Sequence, residues 1–162
     1  MRYGLQRVWD MTIRKIVLSI CIGALVAGCE HEHKDSVDVE FITAPGTEDM
    51  NLPFSPAVRV GNTIYLSGNL GNIPGTFELA PGGIEGETRQ TMENIKTAVE
   101  LAGSSMDRIV KCSLFIADIS EWGAVNKVYR TYFDVPPARS ALGANGLALG
   151  AKIEIDCIAV VE

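Results

Sequence analysis

Histidine is scarce in this chain of 162 residues, which contains only His31 and His33. Both lie in the charged stretch EHEHKDSVDVE, residues 30–40, so no histidine follows residue 40. This absence excludes a catalytic triad with histidine, and a metal site built from histidines, in the rest of the chain. The two histidines could bind a metal ion themselves, but so polar a stretch is more typical of a solvated linker.

Cysteine is also sparse, and its spacing is not that of a metal site. No two of the four cysteines form a CxxC pair. Cys112 and Cys157 each lie on the apolar side of an alternating stretch, which favours two buried thiols that pack as small hydrophobic groups. An exported protein could instead join them in a disulfide, so pairing stays open. We expect neither a metal ion nor another cofactor.

The chain has no cluster of basic residues and no apolar run long enough to cross a membrane as a helix. Its formal charge is −6, and an acidic protein is poorly suited to gripping a phosphate backbone, so we expect no nucleic-acid partner. The apolar run that ends at Gly28 has about a dozen residues, whereas a spanning helix needs about 20.

The first 28 residues have the features of an export signal, with Arg14 and Lys15 ahead of this short apolar run. The run ends in LVAGC, which resembles a bacterial lipobox. The resemblance implies cleavage before Cys29, a lipid on Cys29 and attachment to the periplasmic face of the outer membrane. A cleaved signal without lipid and an uncleaved anchor are the alternatives, and Met11 could be the true start. We therefore expect a signal peptide over 1–28, a polar tether over 29–40 and a domain over 41–162.

Within that domain, alternation and helical periodicity predict five strands and two helices. In chain order these are a hairpin over 57–68, a helix over 87–103, a strand over 108–118, a helix over 118–134, and strands over 139–144 and 151–161. The Gly- and Pro-rich stretch 71–87 is expected to be a loop. This order predicts an α+β domain in which two helices pack on one face of a mixed sheet.

The same periodicities predict which side chains are buried. In the first helix they are Met92, Ile95, Val99 and Ala102; in the strand that follows, Val110, Cys112, Leu114 and Ile116; in the second helix, Trp122, Val125, Val128 or Tyr129, and Tyr132. Asp118 and Glu121 have the spacing of a capping box at the start of the second helix.

The stretch PARSALGANGLALGAKIEIDCIAV, residues 137–160, resembles the C-terminal signature of the Rid (YjgF-like) family of enamine/imine deaminases. The motifs VGNTIYLSGNLG, ETRQTMENIKTAVELAGSSMDRIVKCSLFIADI and VNKVYRTYF agree with the same family in the same order, so the likeness covers nearly all of 52–162. It implies a chorismate-mutase-like α+β fold. It also implies a homotrimer with a small-molecule cleft at each subunit interface.

The resemblance also implies a reaction, the hydrolysis of reactive enamines and imines such as 2-aminoacrylate to a keto acid and ammonia. Arg139 stands at the family's substrate-binding arginine, whose planar fork suits a carboxylate. Glu154 stands at the acid that positions the attacking water. We expect the two side chains to face one cleft from neighbouring strands. Without the resemblance, each would be interpreted as an ordinary surface charge.

Two positions depart from the family pattern. Phe54 stands where a cleft tyrosine is common, and Ala141 stands where a cysteine is common, although the backbone carbonyl that contacts the water is kept. Gly68 is expected either to let substrate approach the backbone closely or to form a turn at the end of a strand. Asn126 and Tyr129 are expected to be packing and interface residues. A non-catalytic module that binds small carboxylates is the alternative function. An endoribonuclease is less favoured because the chain is acidic and its domain lacks histidine.

Overall fold

The computed structural model describes residues 37–43 and 51–161, and the predicted signal peptide, Cys29 and residues 29–36 of the predicted tether lie outside these ranges. The described residues form seven strands and two α-helices. The strands are β1 Val39–Ile42, β2 Ala57–Val60, β3 Thr63–Leu66, β4 Asn69–Leu70, β5 Ile109–Ile116, β6 Ala138–Gly143 and β7 Ile153–Val160; the helices are α1 Gly83–Leu101 and α2 Trp122–Tyr129.

All seven strands belong to one mixed sheet with the order β1-β2-β3-β7-β5-β6, and β4 pairs with β7 beside β3. The pairs are antiparallel except for β5 and β6, which run parallel and are joined by the crossover that contains α2. The predicted α+β architecture is therefore confirmed.

Both helices contribute to a core on one face of this sheet. Met92, Ile95 and Val99 are fully buried, as the helical periodicity predicts, and they meet the alternate buried residues of β5 and β7. Among residues 37–43 and 51–161, no helix covers the other face, and the residues that alternate with the core positions, such as Tyr65, are half-exposed or exposed. The sheet therefore has one covered face and one open face.

Three local features differ from the prediction: the burial of Val110, the strand β1 and the first residue of α1. Val110 is exposed rather than buried, because a bulge between Ile109 and Lys111 shifts the register of β5. The strand β1 was not predicted, and its first two residues fall in the segment assigned to the tether; it is an edge strand with almost no burial, so it lacks the expected alternation. The helix α1 begins at Gly83, earlier than predicted.

The second helix is shorter than predicted, with 3-10 turns at Ile119–Glu121 and Arg130–Tyr132 on either side of α2. Of its predicted stripe, Trp122, the first residue of α2, is exposed, and Tyr132, in the second 3-10 turn, is only partly buried. The Asp118 carboxylate accepts a hydrogen bond from the Ser120 backbone N–H at 2.9 Å, which replaces the predicted capping box.

The structure joins Cys112 and Cys157 in a disulfide, which corrects the interpretation of two free thiols. The two residues lie directly opposite one another on the antiparallel strands β5 and β7, with Cα atoms 4.1 Å apart. Both are buried. Pairing depends on which strands are neighbours, and strand order is not visible in the spacing of cysteines along the chain.

In the part of the chain that the structure describes, neither helix has both the length and the apolar character needed to cross a membrane. The same residues contain no group of three or more histidine, cysteine, aspartate or glutamate side chains placed to hold a metal ion.

Candidate functional site

Strand β6 places Arg139 beside the helices. Arg139 is paired with Cys112 of β5, whose side chain is buried on the covered face. The guanidinium carbon of Arg139 lies 4.9 Å from the centre of the Tyr129 ring and 5.9 Å from that of Trp122. These are cation–π distances, so two rings from α2 hold the guanidinium on this side of the sheet.

A cavity of about 520 Å³ lies beside this guanidinium. Its lining residues are Trp122, Asn126, Tyr129, Arg130, Phe133, Pro136, Pro137 and Arg139. Helix α2 supplies three of them at spacings of four and three, which is one helical face. Aromatic and proline walls around a cation, with a few polar groups, suit a small organic anion.

Arg139 has no carboxylate or hydrogen-bond partner among the described residues; its recorded contacts are the two rings. Stacking on a ring is worth about 0.5–2 kcal/mol and leaves the N–H groups of the guanidinium unused. Those N–H groups form a fork that can bind both oxygens of a carboxylate. Arg139 is therefore available to bind an anion, because no carboxylate of the described residues is bound to it.

Tyr129 is only 3% exposed, and burial raises the pKa of its phenol to about 12 although Arg139 acts in the opposite direction. Its hydroxyl and the Oδ1 atom of Asn126 are buried without a hydrogen-bond partner among the described residues. A polar group left in this state costs about 1–3 kcal/mol. Sequence reasoning assigned both residues to packing and interface roles; their helical spacing from Trp122 is the signal that could have placed them at the cavity.

Strand β7 places Glu154 on the open face. Its neighbours Ile153 and Ile155 are both fully buried on the covered face, so Glu154 points the other way. Gly68 packs directly against it: a Cβ atom at position 68 would stand 2.9 Å from the carboxyl carbon Cδ of Glu154. Only glycine therefore fits beside this carboxylate in its present position.

The segment that holds Phe54 runs beside Gly68. The Ser67 hydroxyl donates a hydrogen bond to the Ser55 carbonyl at 2.7 Å, and the Ser67 N–H donates to the Pro56 carbonyl at 3.0 Å. Phe54 itself is exposed. These bonds bring its segment next to Gly68 and Glu154.

Ala141 lies on the same face of the sheet as Arg139, not with Gly68 and Glu154. It follows Arg139 by two residues on β6 and is paired with Leu114, a fully buried residue of the covered face. The sequence-predicted site residues thus fall into two groups, one around Arg139 and one around Glu154.

Within one chain, Arg139 and Glu154 do not face the same cleft, which corrects the expectation that neighbouring strands would bring them together. Strands β6 and β7 are not neighbours, because β5 lies between them. The two side chains also lie on opposite faces of the sheet: Arg139 aligns with Cys112, and Glu154 aligns with Phe115, three positions along β5. The two groups of predicted site residues therefore lie on opposite faces of the sheet within one chain.

Comparison with known proteins gives consistent relatives. Residues 45–161 match the family described as Endoribonuclease L-PSP. The chain is 41% identical over 111 residues to a 2-iminobutanoate/2-iminopropanoate deaminase of Dermatophagoides farinae, covering 68% of this chain and 87% of that protein. The mouse protein of the same name is 39% identical over 109 residues, with 67% and 81% covered.

Solved structures agree with the fold. The YjgF gene product from E. coli superposes with a TM-score of 0.70 at 32% identity, over 76% of this chain and 99% of that one. The E. coli TdcF structure with bound serine gives a TM-score of 0.66 at 28% identity, over 80% and 100%. The chain therefore belongs to the Endoribonuclease L-PSP family, the Rid (YjgF-like) family that its motifs resemble.

Proposed function

We propose that this protein hydrolyses reactive imines and enamines that carry a carboxylate, releasing ammonia and a keto acid. The observation that carries the proposal is the Arg139 guanidinium, which lines an aromatic-walled cavity with no carboxylate partner among the described residues. Relatives about 40% identical are named as deaminases of 2-iminobutanoate and 2-iminopropanoate, both of which bear a carboxylate next to the C=N bond. TdcF binds serine, which also has a carboxylate.

The complete site takes one half from each of two subunits. Arg139 with Ala141 comes from one protomer, and Glu154 with Gly68 and Phe54 comes from its neighbour. The support is the placement of the halves on opposite faces of one sheet, which prevents a single chain from bringing them together. A closed homotrimer gives each half a partner without leaving an unmatched surface.

The open face supplies the surface for such an assembly. Phe41, Val58, Tyr65 and Ile158 lie side by side across four strands of this face. Phe41 is 69% exposed and Tyr65 is 49% exposed. A row of apolar side chains on an uncovered sheet is a surface that association buries.

In the proposed reaction, Arg139 binds the carboxylate oxygens and fixes the imine carbon in the cleft. Glu154 of the neighbouring subunit accepts a proton from water while the water oxygen forms a bond to that carbon. Glu154 passes this proton to the imine nitrogen, which gives a carbinolamine. Glu154 then moves the proton of the carbinolamine hydroxyl to the nitrogen, so that the C–N bond breaks, ammonia leaves and the oxygen forms the keto group. Gly68 leaves room for the substrate beside the carboxylate.

The alternative is a binding module for small carboxylates, and Phe54 and Ala141 are the residues that favour it, because they replace the common tyrosine and cysteine. An RNA-cleaving activity has no histidine to draw on after residue 40. Ammonia release decides between hydrolysis and binding. Imino acids should be generated in the assay by an amino acid oxidase. The rate of ammonia release with the full-length protein is then compared with the rate of spontaneous hydrolysis without it.

We expect the parent protein to accelerate ammonia release and Arg139→Ala to reduce kcat/KM by about 30-fold or more, since a charge-assisted pair is lost. Arg139→Lys should restore little, because an ammonium lacks the planar fork. Glu154→Gln should lower turnover by about 100-fold while carboxylate binding persists. Hydrolysis by Glu154→Gln at the parent rate would remove the proposed role of Glu154. A parent protein that binds 2-oxobutanoate without hydrolysing imines would establish the binding module.

We also propose that the protein is exported and anchored by a lipid on Cys29, facing the periplasm from the outer membrane. The support is the sequence LVAGC after a short apolar run with a basic start. Cys29→Ser should abolish labelling with a fatty acid and release the protein from the membrane fraction, with Cys21→Ser as the control that keeps both. Persistent lipid labelling of Cys29→Ser would contradict the proposal.

A further inference from the structure

The phenol of Tyr129 is one of two buried polar groups at the cavity, with the Asn126 amide, for which neither the described fold nor the proposed reaction supplies a partner. One contact of its ring is Phe133, whose ring centre lies 5.0 Å away, and another is the guanidinium of Arg139 at 4.9 Å. These contacts are made by the ring. The hydroxyl takes part in none of these contacts and is recorded as buried without a partner among the described residues.

A phenylalanine would satisfy all the ring contacts that the structure records at this position, and Phe133 shows that such a ring is accommodated beside it. The hydroxyl therefore adds a buried polar atom that forms no stabilising hydrogen bond among the described residues. Asn126 can exchange the ends of its amide by turning over, but the Tyr129 oxygen is fixed at the tip of a rigid ring. Groups of this kind at a cavity indicate a ligand that completes them.

The chemistry of the missing partner follows from the surroundings. Burial holds the phenol in its protonated form at physiological pH, so it is available as a donor. Arg139 next to it attracts an anion. A group that accepts from a phenol and also binds a guanidinium is an oxyanion, and a carboxylate has two oxygens to offer.

We propose that the Tyr129 hydroxyl donates a hydrogen bond to the same substrate carboxylate that Arg139 binds, so that this carboxylate is held by one charged and one neutral donor. This inference rests on the proposed function, because it names a second group that contacts the same substrate. The hydroxyl is closed off from solvent, so the proposed bond requires the side chains around it to shift when the carboxylate binds. Tyr129 is then a binding residue for the carboxylate rather than a packing residue.

The test is Tyr129→Phe in the full-length protein, titrated with 2-oxobutanoate and assayed for imine hydrolysis. We expect binding to weaken about tenfold or more, as for a lost hydrogen bond to a charged group, with a matching rise in KM and little change in kcat. Binding of the uncharged 2-oxobutanamide should not change between parent and variant. The thermal midpoint should stay the same or rise, because an unpartnered polar atom has been removed.

Tyr132→Phe is the matched control, since the Tyr132 hydroxyl donates to the Glu93 carboxylate at 2.8 Å and does not line the cavity. It should bind 2-oxobutanoate as the parent does. Parent-like binding by Tyr129→Phe would overturn the inference while Arg139→Ala still tests the proposed function separately. Loss of the oligomer in Tyr129→Phe would also overturn it, because the hydroxyl would then be bound by the neighbouring subunit.

Discussion

Gly68 and Glu154 lie so close that a methyl group at position 68 would stand 2.9 Å from the carboxyl carbon of the glutamate. The side chain of Glu154 has to move before any larger residue fits. The position of this carboxylate is thus coupled to the absence of a side chain at Gly68, in the link between β3 and β4.

Gly68→Ala should therefore lower turnover by displacing Glu154 while the Arg139 cavity stays intact. A shift of about 1 Å in a reacting group can cost about 100-fold in rate, so we expect a loss of that order in kcat with a much smaller change in the affinity for 2-oxobutanoate. Gly123→Ala is the control, because a Cβ there meets nothing within 4 Å. Equal losses of binding and turnover in Gly68→Ala would argue against a selective effect on Glu154.

Mixing two inactive variants tests whether the halves come from different subunits. Arg139→Ala and Glu154→Gln chains, unfolded together and refolded in equal amounts, should form mixed trimers in which about a quarter of the sites contain both native residues. Ammonia release should then recover to about a quarter of the parent rate. If both residues acted within one chain, the mixture would be no more active than the separate variants.

The open face of the sheet should be needed for assembly. Phe41→Asp or Tyr65→Asp places a charge on the apolar row and should shift the mass measured by light scattering from about three chains to one. Imine hydrolysis should fall with it, since each site would lose one half. Leu101→Asp, at the end of α1 and away from this face, should keep the oligomer. A fully active monomer of Tyr65→Asp would contradict the two-subunit site.

The disulfide should contribute measurably to stability. Cys112 and Cys157 close a loop of 45 residues, so the double variant Cys112→Ala/Cys157→Ala should lose about 2–4 kcal/mol of the free energy of unfolding in a denaturant titration. A reductant should lower the midpoint of the parent but not that of the double variant. Identical midpoints for the parent with and without reductant, with two reactive thiols after denaturation in both, would show that the cross-link does not form.

Periodicity along the chain was enough to predict the parts of the fold that depend on local order. The stripe of Met92, Ile95 and Val99 and the helix-free face are both consequences of side-chain direction in helices and strands. Val110 was wrongly predicted to be buried, because the hydropathy pattern does not reveal the bulge between Ile109 and Lys111. The edge strand β1 was not predicted, because it buries too few side chains to show an alternation of apolar and polar residues.

The site could be predicted only in part, because its residues are defined by strand order rather than by spacing. Motif resemblance selected Arg139 and Glu154, but no residue of β6 is fully buried, and its neighbour β5 lies far back in the chain. Which face Arg139 occupies follows from its pairing with Cys112. Tyr129 was missed for a related reason, since a tyrosine on a helical stripe resembles a core residue until its hydroxyl is found without a partner.

The disulfide also has a consequence for the sheet as it forms. A slip of one residue between β5 and β7 would turn every side chain of one strand to the wrong face. Because Cys112 and Cys157 are joined at directly opposed positions, an oxidised chain that unfolds keeps the alignment of its two central strands. When it refolds, the cross-link favours the same register between β5 and β7. This register places Glu154 on the open face of the sheet, although Glu154 is not part of the cross-link.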